Sequence, residues 1–269
     1  MFKDYIPFRI VTRDRYYRLK RAKREEVIRA NDTLNEMQQS QLSLKRLLEF
    51  TQILAGRHGA EFSKLAPKSC SQLGQDLFAV SQSQIKRGGF FVEFGASNGL
   101  TLSNTYLLEK ELQWTGILAE PARCWQQALR ENRTADIDSR CVWSESGKEL
   151  TFNETNIAEL STLDQFSGAD LHYAARENGK RYQVETISLM DLLKVHNAPK
   201  NIDYLSIDTE GSELDILSSF DFGAYNISII TCEHMFTDRR KPVFDLLTSK
   251  GFSRVLEDLS GFEDWYVRN

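Results

Sequence analysis

The chain has 269 residues, 41% of them hydrophobic, and a formal net charge of -4 at pH 7, which is sufficient apolar content for one large α/β domain with an appendage. The four cysteines are widely separated and form no C-x-x-C pair, so neither a disulfide framework nor a structural zinc site is indicated. No window approaches about 18 apolar residues and the first residues are too charged for a signal peptide, so we expect a cytoplasmic protein.

Residues 1–65 are predicted to form a basic helical arm. Residues 1–30 hold ten Lys or Arg against four Asp or Glu, which leaves 24 basic and 34 acidic residues in the remainder. No Pro or Gly occurs between Arg13 and Leu54, and mainly apolar positions recur three and four residues apart, as on one helix face. This seam consists of Val27, Ala30, Leu34, Met37, Gln41, Leu44, Leu48 and Thr51.

Three interpretations of the arm stay open. The seam could form a coiled coil that joins copies into a homo-oligomer, or it could fold back on its own domain. The third interpretation is contact with a membrane surface or another acidic partner, so that the protein would be peripheral to the membrane. That interpretation rests on the early basic residues with Tyr5, Phe8, Tyr16 and Tyr17. We expect no nucleic-acid partner.

Residues 66–269 alternate apolar runs with helical patterns, which is typical of parallel strands buried on both faces. A final pair, SRVLED and DWYVRN, is predicted to be antiparallel and to close the sheet edge. Residues 149–187 interrupt the alternation with a polar stretch, which we interpret as a lid or a surface insertion. The parallel runs are FFVEFG (90–95), GILAEP (116–121), RCVWS (140–144), IDYLSID (202–208) and ISIITCE (227–233).

The stretch FVEFGASNGLTLSN, residues 91–104, contains the pattern G-x-S-x-G. In hydrolases this pattern presents a serine nucleophile, and Ser97, Asp208 and His234 occur in the chain order that such enzymes need. However, FFVEFG is predicted to be the first strand of the sheet, whereas a hydrolase nucleophile normally follows several strands. A serine hydrolase is therefore an alternative and not the first interpretation.

The same glycines fit a cofactor loop. Glu93 ends the first predicted strand, and Gly95 and Gly99 allow backbone to approach a ligand at the edge where open α/β sheets bind them. Glu120 ends the second strand, 25 residues after Gly95, where a carboxylate can accept both ribose hydroxyl protons. Because Glu93 would repel a pyrophosphate, a nucleoside with a cationic amino-acid end fits best.

Several ordered motifs resemble the FkbM-type S-adenosylmethionine-dependent methyltransferases. The resemblance implies a Rossmann-like class I methyltransferase fold, a mostly parallel doubly wound sheet, with S-adenosyl-L-methionine as methyl donor. It also implies an O-methyltransferase whose acceptor is a hydroxyl of a sugar, a glycan or a related small molecule. A non-catalytic Rossmann-like module that binds a partner is a further alternative. The motifs are SQLGQDLFA, FVEFGASNGLTLSNTYLLEK, WTGILAEP, YQVETISLMDLL and IDYLSIDTEGSELDIL.

The positions of these motifs imply which residues hold the cofactor. Glu120 is expected to bind the ribose, and adenine is expected near Val142, Trp143 and Ser144. Core packing is the alternative role for Trp143. The methionine moiety is expected to lie against Glu93 and the turn formed by Gly95, Ala96, Ser97, Asn98 and Gly99. Further contacts are expected from Ser103, Asn104, Gln75, Asp76 and Asp208, although Gln75 and Asp76 could simply cap a helix.

Methylation of a hydroxyl requires alignment of the oxygen and removal of its proton. His234 follows the fifth strand at the ligand-binding edge and is the predicted base, ahead of His172 and His196. The predicted catalytic carboxylates are Asp208, Glu210 and Glu233. Asp208 and Glu233 are also candidate ligands for Mg²⁺ or Mn²⁺, since carboxylates suit hard cations.

Overall fold

The computed structural model describes residues 13–53, 58–168 and 171–269. The chain divides into two compact units, Met1–Lys45 and Arg46–Asn269. The described part of the first unit is helical throughout, and the second unit holds both sheets. We refer to the second unit as the body.

The elements are numbered in chain order. The helices are α1 (Arg13–Ile53), α2 (Gly59–Leu65), α3 (Gln75–Gln82), α4 (Tyr106–Leu112), α5 (Gln126–Asn132), α6 (Tyr173–Arg176), α7 (Leu189–Val195), α8 (Glu213–Ser219), α9 (Arg240–Ser249) and α10 (Glu257–Ser260). The strands are β1 (Phe90–Phe94), β2 (Thr115–Ala119), β3 (Asp136–Asp138), β4 (Cys141–Trp143), β5 (Glu149–Glu154), β6 (Thr162–Leu163), β7 (Lys180–Ser188), β8 (Asn201–Ile207), β9 (Asn226–Glu233), β10 (Phe252–Val255) and β11 (Glu263–Arg268).

The main sheet has seven strands in the order β10-β11-β9-β8-β1-β2-β3. The strands from β9 to β3 run parallel, whereas β11 is antiparallel to both β9 and β10. The predicted mostly parallel sheet with an antiparallel edge is therefore confirmed. The chain moves outward from β1 through β2 to β3 and later returns to β8 on the other side of β1, so the direction of winding reverses between β1 and β8.

Alternate residues of the buried strands face opposite sides of the sheet. Val92 and Phe94 of β1 belong to a core cluster that includes Leu192 of α7 and Leu247 of α9. On the other side, Phe78 of α3 stacks on Trp265 of β11, with ring centroids 4.8 Å apart. Helices therefore cover both faces, which explains why the strands read as continuous apolar runs.

The interrupting segment forms a second sheet of four strands in the order β4-β7-β5-β6. Its β5 and β7 pair antiparallel over six residue pairs, and β4 pairs parallel with β7. The run RCVWS is thus a strand, as predicted, but it belongs to this small sheet. The third strand of the main sheet is the short, polar segment Asp136–Asp138, whose length and composition give almost no strand signal.

The body begins earlier than the sequence suggests. Phe50, near the end of α1, is fully buried and its ring lies 6.2 Å from that of Phe62 and 6.0 Å from that of Trp265. Arg46 is also buried and donates from Nε to the Leu259 carbonyl oxygen at 2.9 Å. The division at Lys45 therefore replaces the predicted division near Ala66-Pro67, because the last two turns of α1 supply part of the core.

The long N-terminal helix is confirmed, and the described part of its seam is exposed. Met37, Leu44 and Leu48 are all more than half exposed. The structure does not describe the side chains of three earlier seam residues, Val27, Ala30 and Leu34. The membrane-contact prediction likewise rests on Tyr5, Phe8, Tyr16 and Tyr17, whose side chains are outside the described set. Within the described residues, no helix is both long and apolar enough to span a bilayer.

We propose that the exposed seam joins copies of the chain. Replacing both Met37 and Leu44 by Gln should lower the molar mass measured by light scattering, because it removes apolar surface that a coiled coil would bury. Ser43→Gln, an exposed change off the seam, is the matched control and should leave the mass unchanged. An unchanged mass in the double variant would contradict the coiled coil.

Candidate functional site

A cavity of about 410 Å³ opens at the carboxyl ends of the central strands, where the winding reverses. Open α/β sheets bind their ligands at this position, and the volume lies within the range of small-molecule sites. Most of the residues predicted from the sequence line it. They are Gln75, Glu93, Gly95, Ala96, Ser97, Ser103, Asn104, Glu120, Asp208, Glu210 and Glu233.

Gly95 joins three strand ends at the floor of the cavity. Its φ is +73°, and a Cβ atom at this position would lie 2.0 Å from the carbonyl oxygen of Asp208. Its N–H donates to the Ala119 carbonyl oxygen at 3.0 Å. Only glycine satisfies both the conformation and the close approach, so the loop after β1 lies directly against the ends of β2 and β8.

Gly99 has a different role from the predicted approach to a ligand. Its φ is +75°, but a Cβ would lie 2.6 Å from the side chains of Arg133 and Leu129. Gly99 is outside the cavity lining. Gly99 is therefore required so that the glycine loop can pack against α5 and against Arg133, the residue after that helix.

Glu93 holds the segment after the glycine loop in place. Its carboxylate accepts a hydrogen bond from the Asn104 N–H at 2.8 Å and another from the Thr105 hydroxyl, and the Arg133 guanidinium lies 3.6 Å away. Burial raises the pKa of Glu93, and Arg133 opposes that change. The carboxylate thus has several partners within the protein, and its observed role is to fix the cavity wall.

Asn104 presents an unpaired acceptor at the cavity. Its Nδ2 donates to the Ser206 hydroxyl at 2.9 Å, whereas its Oδ1 is buried and has no hydrogen-bond partner among the described residues. An unpaired buried acceptor is costly, so such atoms commonly mark a place where a ligand donates. Asn104 is 6% exposed and lines the cavity.

Glu120, at the end of β2, is oriented by the backbone. One carboxylate oxygen accepts from the Ser97 N–H at 2.8 Å and the other from the Ala122 N–H at 2.7 Å. Burial raises the pKa of Glu120 to about 7, and the nearby Asp208 and Glu154 carboxylates add to the effect. Each oxygen keeps a lone pair for a further donor in the cavity. Ser97 adopts a left-handed conformation, φ 47°, to make this contact.

Three carboxylates, those of Asp208, Glu210 and Glu233, each place an oxygen within 4.8 Å of the others. Burial raises the pKa of Asp208 to about 6, and burial with the Asp208 charge holds the pKa of Glu233 well above its usual value. Burial and the neighbouring Asp208 carboxylate therefore both favour the protonated form of Glu233. Glu210 is compensated differently, by the fully buried guanidinium of Arg176 at 2.5 Å.

The segment between β4 and β7 supplies one wall of the cavity. Leu160 and Ser161 line it, as does His172, which precedes α6. One turn later, Arg176 ties α6 to Glu210 and donates to the Leu160 carbonyl oxygen at 2.8 Å. The predicted insertion is therefore connected to the loop after β8 through buried contacts.

His234, the predicted base, lies outside the cavity lining. Its Nδ1 accepts a hydrogen bond from the Phe236 N–H at 2.9 Å, and its Nε2 lies 3.7 Å from Asp264. Burial lowers the pKa of His234 to about 4. The structure therefore does not bring the predicted base into the cavity, because strand position places a residue at the sheet edge without fixing its side-chain direction. Of the four histidines, all within the described chain, His172 is the one that lines the cavity.

The geometry also sets His234 apart from the other two members of the hydrolase triad. Ser97 and Asp208 line the cavity, but the His234 ring is engaged by Phe236 and faces Asp264. A triad needs its histidine hydrogen-bonded to the serine, and no such bond joins His234 and Ser97 among the described residues. The hydrolase interpretation is therefore not supported by the arrangement of these residues.

Other predicted residues have structural roles outside the lining. The Asp76 carboxylate accepts from the Ser69 and Ser71 hydroxyls and the Cys70 N–H, which organises the loop before α3. Asn98 accepts from two backbone N–H groups in its own turn. Trp143 packs against Phe166, with ring centroids 6.0 Å apart. Trp143 is the last residue of β4 and Ser144 follows it, whereas Cys141 and Val142 from the same strand line the cavity.

The predictions from sequence missed two buried arginines that compensate the acidic cavity. Arg133 pairs with Glu109 at 2.7 Å and lies near Glu93. Arg176 pairs with Glu210. Each lies 34 or more residues from at least one acidic partner in sequence, so no local pattern reveals the pairing. Arginine side chains are mostly exposed in proteins, so the sequence gives no reason to expect that these two are buried.

Residues 93–255 match the family model described as the methyltransferase FkbM domain. The chain belongs to this family. The matched region starts at Glu93 and includes the glycine loop, Glu120, the small sheet and the Asp208 cluster. The FkbM resemblance drawn from the motifs is confirmed, and the body is a methyltransferase domain of Rossmann-like architecture.

A solved structure similar to this FkbM-family chain is that of precorrin-6y C5,15-methyltransferase from Geobacter metallireducens GS-15. The two chains are 10% identical, with a TM-score of 0.39, over 71% of this chain and 85% of that one. A search of curated proteins found no match.

The contact between Gly95 and Asp208 gives a direct test of the site's construction. Gly95→Ala should lower the thermal unfolding temperature by several degrees, about 1–3 kcal/mol or more, because the new Cβ overlaps a backbone oxygen. Gly88→Ala is the matched control, since Gly88 also has a positive φ of 65° but nothing within 4 Å of its Cβ position. Equal effects of the two substitutions in differential scanning fluorimetry would show that only backbone strain matters.

Proposed function

We propose that this FkbM-family protein transfers a methyl group from S-adenosyl-L-methionine to a hydroxyl group of a neutral sugar, glycan or related metabolite. The observation that carries the proposal is Glu120. Its buried carboxylate, held by the Ser97 and Ala122 N–H groups, faces the cavity from the end of β2. A carboxylate in this place can accept both hydroxyl protons of a ribose.

The opposite side of the cavity fits the amino-acid end of the donor. The unpaired Oδ1 of Asn104 would accept a hydrogen bond from the ammonium group, next to the Glu93 carboxylate. Adenine would lie against Cys141 and Val142 from β4, in place of the predicted Trp143 and Ser144. The residues present therefore fit this cofactor.

The charges lining the cavity favour a neutral acceptor. Among the described residues that line it, six are acidic and none is Lys or Arg. This environment attracts the cationic donor and repels phosphate or carboxylate groups on an acceptor. A neutral hydroxyl compound suffers no such repulsion. The acidic residues are Glu93, Glu120, Glu159, Asp208, Glu210 and Glu233.

Bound S-adenosylmethionine would supply an electrophilic methyl group on sulfur. The chain must then orient the acceptor hydroxyl and take its proton. Asp208 is the best-placed acceptor of that proton, because it lines the cavity directly against Gly95 of the glycine loop. Glu210 is less suited, since Arg176 holds its carboxylate.

A divalent cation is the second candidate role for the Asp208 and Glu233 carboxylates. Their oxygens and that of Glu210 are close enough to share an ion such as Mg²⁺ or Mn²⁺. Arg176 already pairs with Glu210, and burial with the Asp208 charge raises the pKa of Glu233, and both effects weaken this proposal.

The cofactor proposal predicts a specific pH dependence of binding. Glu120 must be ionised to accept two hydroxyl protons, and its pKa is about 7, so affinity for S-adenosylmethionine should rise as pH increases through about 7. Glu120→Gln should weaken binding by roughly 1–3 kcal/mol above that pH and remove this dependence. Isothermal titration calorimetry measures both effects.

Glu159→Gln is the matched control for that experiment. Glu159 also lines the cavity, but it is exposed. Its replacement should leave both the affinity for S-adenosylmethionine and the pH dependence of that affinity nearly unchanged. The cofactor's own amino group also titrates, but it does so equally for all variants, so it does not affect the comparison. Failure of the wild type to bind would refute the proposed cofactor, and binding without turnover on any acceptor would favour a non-catalytic module.

Turnover of neutral glycosides with labelled methyl donor tests the proton acceptor. Asp208→Asn should reduce turnover by about 10²-fold or more, since the variant cannot take a proton, whereas His234→Ala should cost less than about tenfold. A large loss in His172→Ala without one in Asp208→Asn would instead place the base on the segment before α6. Loss of activity in EDTA with recovery in Mg²⁺ or Mn²⁺ would assign the carboxylates to a metal ion.

A further inference from the structure

Most of the exposed large apolar side chains of the described body line the cavity or directly adjoin, in sequence, a residue that lines it. Beyond α1, seven large apolar side chains are exposed, and six of them line the cavity or adjoin a lining residue. Isolated exposed apolar residues are common on protein surfaces, but a cluster around one opening marks a binding surface. We call this cluster the apolar rim, and it consists of Leu100, Leu102, Ile157, Leu171, Tyr173 and Phe236.

The most exposed members of the rim belong to two chain segments, each of which includes a cavity-lining residue. Leu171 is 78% and Tyr173 64% exposed, and they flank the cavity residue His172. Phe236 is 67% exposed and follows the cavity residue Met235. The seventh exposed residue, Val195, ends α7 and is 57% exposed, but neither it nor its neighbours line the cavity.

The chain holds part of the rim in a strained conformation. Met235 and Phe236 both have positive φ angles, 39° and 56°. The His234 ring accepts a hydrogen bond from the Phe236 N–H at 2.9 Å. The centroids of the His234 and Phe236 rings are 5.1 Å apart. Non-glycine residues in this region cost free energy and tend to occur at functional sites. His234 therefore holds the exposed Phe236 ring next to the cavity residue Met235, which gives this buried histidine a role outside the cavity.

The interior and the rim differ in chemistry. The interior holds buried carboxylates and no described Lys or Arg, whereas the rim is aliphatic and aromatic. An acceptor that places a hydroxyl at Asp208 and is too large for the cavity would extend out of it, toward the rim residues that line or adjoin it. The absence of cations among the described lining residues disfavours an anionic membrane surface as the occupant.

We infer that the apolar rim binds the aglycone of a neutral glycoside, an alkyl, acyl or aryl group attached to the sugar whose hydroxyl enters the cavity. This inference rests on the proposed function and specifies its substrate class. Removal of apolar surface from water would supply affinity at the rim, while hydrogen bonds inside the cavity would select the sugar. The acceptor is thus amphipathic.

The test uses octyl β-D-glucopyranoside, below its critical micelle concentration, and methyl β-D-glucopyranoside as probes. Binding is measured by calorimetry in the presence of saturating S-adenosylhomocysteine. The wild type should bind the octyl glycoside at least about tenfold more tightly than the methyl glycoside, in line with burial of the alkyl chain. The triple variant Leu171→Ser, Tyr173→Ser, Phe236→Ser should reduce that ratio to less than about threefold, and Val195→Ser should preserve it.

S-adenosylhomocysteine affinity is measured separately, so failure of the cofactor proposal is distinguishable from failure of the rim proposal. The triple variant should keep that affinity and its unfolding temperature, because the replaced side chains are exposed. Equal affinity of the two glycosides in the wild type, or the same ratio in wild type and triple variant, would overturn the inference. So would a lower mass of the triple variant by light scattering, since the rim would then bind a second copy of the chain.

Discussion

Gly95 passes so close to the Asp208 carbonyl oxygen that a Cβ atom would lie 2.0 Å from it. This approach brings the loop after β1 against the end of β8, and the Gly95 N–H bond to Ala119 adds the end of β2. Three strand ends that are far apart in sequence therefore meet at one point. The cavity, the orientation of Ser97 and the distance between Glu120 and Asp208 all follow from this packing.

The close packing of strand ends buries several carboxylates near one another, and a different group compensates each of them. Arg133 lies near Glu93, Arg176 pairs with Glu210, and burial beside Asp208 raises the pKa of Glu233, which favours its neutral form. Buried carboxylates without such partners would be strongly destabilising. Glu120 has only backbone donors and neighbouring negative charges, so its raised pKa reflects a group that a bound ligand would satisfy further. The site therefore combines rigid, compensated carboxylates with one that is available to a ligand.

The central strands and their functional ends were predictable because β1, β2, β8 and β9 are apolar runs buried on both faces. The third strand, Asp136–Asp138, was missed since three mostly polar residues carry no periodic signal. The candidate cofactor-binding residues at the strand ends line one cavity, as expected from the topology of the sheet alone. Side-chain direction after a strand was not predictable: His234 faces Asp264, and the strained turn at Met235 and Phe236 has no sequence signature. The position of His172 in the cavity depends on how the small sheet folds, and no local sequence pattern indicates that fold.

A crystal structure with S-adenosylhomocysteine tests the central claim most directly, because it locates the ligand without requiring the acceptor. The account predicts both ribose hydroxyls within about 3.2 Å of the Glu120 carboxylate and the ammonium group within the same distance of Asn104 Oδ1. Density for the ligand at another place, or in this cavity with the ribose away from Glu120, would contradict it.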